Sequence, residues 1–348
     1  MILAAGLSPA WQQIVVLDRL QLGDVNRARE VHWCASGKVL NVGLALNCLS
    51  ISPTLRQGEP GGVAGELGVR NSECGVNETT QNQVRTLAVV GGLTGEAIRR
   101  EFAEAGIHAT WIKTESATRV CTTILDAGTG QTTELVENAV PITTDELWQF
   151  QQAYIDAARH ADVVVLAGSF PGGVPATFYR DLLAETPGRV VLDAQREPLL
   201  AALERRPFVV KPNREELGNT LGRRLETDDQ LRAAMREFCR RGATWVVVSE
   251  GKERVWIGSE RTILSVRPLP VDVINPIGCG DCLAAGVAVA LARGEDLPDA
   301  VLYGMAAAAE NARHLLPARL DPRRVAELRT QIERQRCRET RNRRLGTI

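Results

Sequence analysis

A chain of 348 residues with 41 Lys and Arg against 42 Asp and Glu carries a formal net charge of −1. That balance gives no global field for drawing nucleic acid or an anionic membrane surface, and neither is expected as a partner. The length suffices for one large α/β core with an excursion, or for two smaller cores.

With no N-terminal signal segment and no apolar run of about 18 residues, the protein is expected to be cytoplasmic. Its eight cysteines then read as reduced thiols. Only four lysines occur, Lys38, Lys113, Lys211 and Lys252, so each stands out against the abundant arginine.

In chain order, residues 1–7 form a short apolar run ending at Ser8-Pro9, the pattern of a strand buried on both faces. Residues 12–18 and 29–34 are rich in β-formers around a polar turn at Gly23-Asp24, a hairpin expected outside the main sheet. The segment Ala35-Ser36-Gly37-Lys38 opens a helix over 39–49. Lys38 and Asn41 near that start suit an anionic substrate; the plainer alternative is a solvated lysine and an ordinary helix asparagine. Residues 52–83, rich in Gly, Pro, Glu, Asn and Gln, read as a flexible surface insertion.

A strand over 86–90 enters the turn Gly91-Gly92 and a helix to about 105. Segments 109–113, 119–126 and 132–137 are β-like, with Arg119 opening one of them, pointing either at a substrate or at solvent. From 143 onward helices (143–159, 175–185, 227–240) alternate with apolar strands (163–167, 190–193, 208–210, 245–249), and a hairpin follows over 253–258 and 262–267. This alternation predicts an α/β fold with a doubly wound, mostly parallel sheet. Ligands of such sheets gather at the carboxyl ends of the strands, where Asp193, Asn213, Glu216, Ser249, Gly251 and Asp281 all fall.

Asn275-Pro276-Ile277-Gly278-Cys279-Gly280-Asp281 then leads into a small-residue helix running to about 292. Two glycines allow a tight turn and close backbone approach to a ligand, and the helix start offers unpaired N–H groups to an anion. Asp281 on the first turn would simply complement the helix dipole, or act as a general base beside a transferring phosphoryl group. The crowding of polar residues at the strand ends favours the base. Cys279 and Cys282 form a C-x-x-C, but no second pair at matching spacing supports a metal or redox site. Residues 318–348 hold ten arginines against four acids, without the aromatic residues that would stack on bases. They are expected to form a basic helix over 322–336 and a frayed tail, outside a main domain ending near 317.

These elements together resemble the ribokinase-like carbohydrate kinases of the phosphofructokinase B type. Gly278-Cys279-Gly280-Asp281 is similar to that family's glycine-acid signature, and Asn213-x-x-Glu216 after Lys211-Pro212 to its N-x-x-E element. Gly168-Ser169-Phe170-Pro171 and Ser249-Glu250-Gly251 match two further turns in the family's order. Residues 2–10, Val25-Asn26-Arg27, Gly37-Lys38-x-x-Asn41-Val42 and Thr118-Arg119 resemble its hexose-phosphate branch, which includes tagatose-6-phosphate kinase and 1-phosphofructokinase.

The resemblance implies ATP and Mg2+ as cofactors and a ketohexose monophosphate as acceptor. It implies Asp281 as base, with Gly278, Cys279 and Gly280 cradling the transferring group. Lys211, Asn213, Glu216, Ser249 and Gly251 would face the nucleotide, Glu216 (with Asp193 a further candidate) meeting the metal through water. Gln12, Gly37, Lys38, Asn41 and Arg119 would face the sugar phosphate, with Arg27 a further candidate. A small β lid from about 12–34 and 109–137 would shield the site and pair two subunits into a homodimer. The chain departs from the family at Gln12, where an Asp is usual, and at Ser36 and Val39, where glycines are usual. These departures bear on the acceptor and leave open an unphosphorylated sugar or nucleoside, or a non-catalytic sugar-phosphate sensor.

Overall fold

The computed structural model describes residues 1–50 and 83–345; the insertion expected over 52–83 therefore falls, but for Gln83, outside the described residues. Strands β1 (Ile2–Gly6), β2 (Ala10–Leu17) and β3 (Glu30–Ser36) precede helix α1 (Lys38–Ser50). Next come β4 (Val84–Val90), α2 (Gly92–Glu104), β5 (Ala109–Lys113), β6 (Val120–Asp126) and β7 (Gln131–Val136). The regular alternation follows as α3 (Thr144–Ala158), β8 (Val163–Ala167), α4 (Phe178–Ala184), β9 (Arg189–Asp193), α5 (Arg196–Ala202) and β10 (Val209–Val210). It continues through α6 (Arg214–Thr220), α7 (Asp228–Arg241) and β11 (Trp245–Ser249) to the hairpin β12 (Val255–Gly258) and β13 (Ile263–Val266). Helices α8 (Cys279–Ala292), α9 (Leu297–Asn311) and α10 (Pro322–Leu345) close the described chain.

A nine-stranded sheet runs β13-β12-β11-β10-β9-β8-β1-β4-β5. From β11 to β5 every neighbouring pair is parallel, and only the β11-β12-β13 edge is antiparallel. Strands β1 and β8 carry no polar side chain because both faces are covered. Val163 and Val165 of β8 point into one core with α1, α8, α9 and α10. Val164 and Leu166 point into the other, with α3 to α7. Several helix starts are set by side chains, as where Thr143 and Glu146, and Thr227 and Gln230, form reciprocal capping boxes. No helix among the described residues is long and apolar enough to cross a membrane.

The second sheet, β3-β2-β6-β7, is the small β layer expected from the sequence, with one difference in membership. Residues 109–113, expected in this lid, instead form β5, which pairs in parallel with β4 and ends the large sheet. The small sheet rests on the body through Ile14, Val16, Cys34 and Leu125, packed against Leu315 and Leu316 just beyond α9.

The expected boundary near 317 is not a boundary in the packing. Ala318, Leu320, Val325, Leu328 and Ile332 are buried in the same core as α8 and α9. Arg329 further ties α10 to the α8–α9 turn through a two-pronged ion pair with Glu295, and its guanidinium lies over the Tyr303 ring.

Candidate active site

Parallel strands leaving the sheet at one edge bring Asp193, the Lys211-Pro212-Asn213 turn after β10 and Ser249 to a common rim. The α8 turn is fastened beside it by two buried asparagines. Asn275 accepts the Ile277 N–H at 3.0 Å and donates to the Leu315 carbonyl at 2.8 Å. Asn311, at the end of α9, donates to the Ile277 carbonyl at 2.8 Å and accepts the Ala318 N–H at 2.6 Å.

These four bonds hold the chain around Gly278, whose φ of +82° is left-handed backbone that a side chain would strain. Of the three expected amide donors, Cys279 already directs its N–H to the Pro276 carbonyl at 3.3 Å. Nothing local in the sequence marked Asn311, an asparagine closing an alanine-rich helix.

Asp281, on the first turn of α8, is 7% exposed. Its Oδ2 accepts a hydrogen bond from Asn41 Nδ2 at 2.7 Å, and Ser36 Oγ donates to the other side of the Asn41 amide at 3.2 Å. Asn41 reaches that position because α1 starts directly after Gly37, at φ +87°. A Cβ at Gly37 would meet the Ser8 carbonyl oxygen at 2.8 Å and the Ala10 nitrogen at 2.9 Å. Burial, and next the charge of Asp193, push the Asp281 carboxyl up from 3.8 to about 6; Lys38, the Asn41 bond and Lys211 oppose the shift.

Asp193 is enclosed at 1% exposure and flanked by two ammonium groups. Lys38 Nζ donates to Oδ1 at 2.7 Å, and Lys211 Nζ lies 2.8 Å from Oδ2 as an ion pair outside hydrogen-bonding direction. Burial would raise this carboxyl, but Lys211 and Lys38 outweigh it and hold Asp193 below its ordinary value. Lys38 also lies 3.5 Å from Glu216 Oε1. Burial would lower the Lys38 ammonium, yet Asp193, Glu216 and Asp281 together hold it above its usual range.

Asn213 and Glu216 form a capping box on α6, Asn213 Oδ1 accepting the Glu216 N–H at 2.7 Å and Glu216 Oε2 accepting the Asn213 N–H at 2.8 Å. The N-x-x-E element thus starts a helix and still turns its second carboxylate oxygen towards Lys38.

One contact network therefore joins Lys38, Asp193, Lys211, Asn213 and Glu216, and the Asn41–Asp281 pair lies near enough for the charges of Asp193, Lys38 and Lys211 to act on it. Gly280 borders it, a Cβ there lying 3.5 Å from Lys211 Nζ. Ser249 touches the network through a parallel bridge to Asn213, and Gly251 follows in an exposed turn at φ +53°. Two expected acceptor residues stand apart from it. Gln12 is buried in the small sheet and donates to the Thr123 hydroxyl at 2.8 Å. Arg119 donates to the backbone carbonyls of Ser8, Pro9 and Glu137 at 3.0–3.4 Å.

The thiols of Cys279 and Cys282 both contact Asn311 and are pushed up by burial, which keeps them protonated. Among the described residues no cluster of three or more His, Cys, Asp or Glu could enclose a metal ion.

A profile of the pfkB family carbohydrate kinases matches residues 62–320. Phosphofructokinase-2 from Escherichia coli in complex with fructose-6-phosphate superposes with a TM-score of 0.77 at 21% identity, covering 96% of this chain and 100% of that one. A possible 1-phosphofructokinase from Thermotoga maritima gives 0.79 at 20% identity, over 95% and 97% of the two chains. The ribokinase of the same organism gives 0.70 at 16% identity, over 94% and 99%. At these identities the superpositions establish the ribokinase-like fold, and the profile, spanning most of the length, establishes more: the chain belongs to the pfkB family of carbohydrate kinases.

Proposed function

We propose that the protein transfers the γ-phosphoryl group of ATP to a hydroxyl of a ketohexose monophosphate, of the tagatose-6-phosphate or fructose-1-phosphate type. The observation that carries the proposal is Asp281, a buried carboxylate on the first turn of α8 whose affinity for a proton is raised to about 6. A general base works best when its pKa lies near the operating pH, and burial has moved this one in that direction. Asn41 orients the carboxylate, so that the free oxygen receives the acceptor's proton. Gly278 and Gly280 offer amides to the charge developing on the transferring group, each such donor typically worth about 3 kcal/mol. Lys211, Asn213, Ser249 and Gly251 line the nucleotide side and Gly37, Lys38 and Asn41 the acceptor side, while Gln12 and Arg119, bonded to Thr123 and to backbone carbonyls, stand outside both.

The carboxylates fit a magnesium ion held largely through water. Glu216 keeps Oε1 outside its capping bonds, and Asp193 Oδ1 is held only by the partly exposed Lys38, its Oδ2 remaining with Lys211. Magnesium commonly takes one or two protein carboxylates and fills its shell with water and phosphate oxygens. When bound it would neutralise charge on the triphosphate.

A homodimer through the small sheet is supported by its outer face, where Val31, Trp33 and Leu135 stand on one side and are each about half exposed. Trp33 stacks on Trp11 there at 6.3 Å.

A second reading, an unphosphorylated sugar as acceptor, is favoured by one observation: Lys38 is paired with carboxylates and Arg119 with carbonyls. Coupled ADP release across a panel of sugars, nucleosides and their monophosphates decides. Turnover confined to ketohexose monophosphates is expected. Faster turnover of an unphosphorylated acceptor would replace the first reading with the second, and saturable binding with no ADP from any compound would indicate a sensor.

A further inference from the structure

Phosphoryl transfer as outlined does not explain why two lysines crowd one buried aspartate. Lys38 and Lys211 lie 2.7 and 2.8 Å from the two oxygens of Asp193, but they differ in freedom. The Lys211 side chain is 5% exposed and fixed, whereas that of Lys38 is 34% exposed and also lies 3.5 Å from Glu216. Lys38 is the first residue of α1, so its flexible four-carbon stem swings from a helix start whose next turn carries Asn41, the partner of Asp281. The described charges leave a balance of one negative in excess, Asp193, Glu216 and Asp281 facing Lys38 and Lys211. A dication added beside Asp193 and Glu216 tips that balance and repels the one ammonium able to move.

We infer that Lys38 serves as the counter-cation of Asp193 and Glu216 in the nucleotide-free protein, and that a divalent cation displaces it towards Asp281 and the acceptor. The inference rests on the kinase reading for its functional meaning. Its consequence is a binding order: the cation that grips an anionic acceptor becomes available once the metal-nucleotide has arrived. By reciprocity, an anionic acceptor tightens metal-nucleotide binding by the same factor. Asp193 stays paired with Lys211 throughout, so displacement leaves no buried charge alone.

The scarcity of lysine makes the test clean. Mild reductive methylation of the wild-type protein, read by mass spectrometry, compares Lys38 with the exposed Lys113 and Lys252. Magnesium alone, against sodium chloride of equal ionic strength, should raise labelling of Lys38 several-fold while Lys113 and Lys252 stay constant. A Lys38 rate indifferent to magnesium overturns the inference. Independently, Lys38→Met should bind magnesium, without nucleotide, about tenfold more tightly by calorimetry, since one like-charge contact has been removed. Unchanged or weaker binding also overturns it. Neither measurement involves turnover, so a protein that phosphorylated no sugar would sink the kinase reading while leaving these results to stand or fall alone.

Discussion

Asp193 and Asp281 lie near enough to feel each other's charge, both nearly closed to solvent, and are driven in opposite directions. Burial alone would raise both. Asp193 has two ammonium groups on its oxygens and is held below its ordinary value, whereas Asp281 has an amide from Asn41 and is lifted to about 6. Part of that lift is the charge of Asp193 itself, so the fixed anion helps tune the titrating one. Two environments divide two like groups into an anchor that stays charged and a base that can take up a proton.

The comparison breaks most visibly at Asp281. Asp281→Asn keeps the shape and removes the proton acceptor, so kcat should fall about a thousandfold, within the range for a lost general base. ATP affinity, measured by calorimetry, should change only a few-fold. A kcat within tenfold of wild type would remove Asp281 from the chemistry.

Next in size is the anchor. Asp193→Ala leaves Lys211 buried without a counter-ion, and urea denaturation should show a loss of about 3 kcal/mol. A loss below about 1 kcal/mol would mean that the lysines do not depend on Asp193.

Gly37→Ala acts on both carboxylates together, because the α1 start carries Lys38 to one and Asn41 to the other. Left-handed backbone and a contact of 2.8 Å with the Ser8 carbonyl should cost about 2 kcal/mol and reduce turnover.

The smallest effect concerns stability and pH. The folded-state pKa of Asp281 is raised from 3.8 to about 6, so its protonation favours the folded protein. That contribution is full below the unfolded value and is lost as pH rises through about 6. Asp281→Asn escapes the loss and should be more stable than wild type at pH 8, the difference shrinking towards pH 4. Parallel melts at the two pH values check the sign.

Much of this arrangement was legible in the chain because it rests on local chemistry. The buried strands announced themselves as unbroken apolar runs, Val163–Ala167 and Trp245–Val248 above all, since a sheet covered on both faces permits little else. The glycine turn before Asp281 was legible for a similar reason, as the left-handed backbone at Gly278 favours glycine.

What stayed hidden depends on distance. Lys38 and Asp193 are separated by 155 residues, and no spacing rule connects them. Asn311 acts through backbone groups of a different loop and carries no signature of its own. Residues 109–113 looked like their lid neighbours because strand composition does not reveal which sheet a strand will join. In the C-terminal helix the density of arginine masked a buried stripe, Val325, Leu328 and Ile332, at the spacing of one helix face.

The pH dependence of kcat/KM for the best acceptor in the panel tests the central claim most directly. If Asp281 is the base, the rate rises with unit slope below a pKa near 6, levels off above it, and loses that inflection in the residual activity of Asp281→Asn. A wild-type profile flat from pH 5 to 8, or an inflection that survives the substitution, would contradict it.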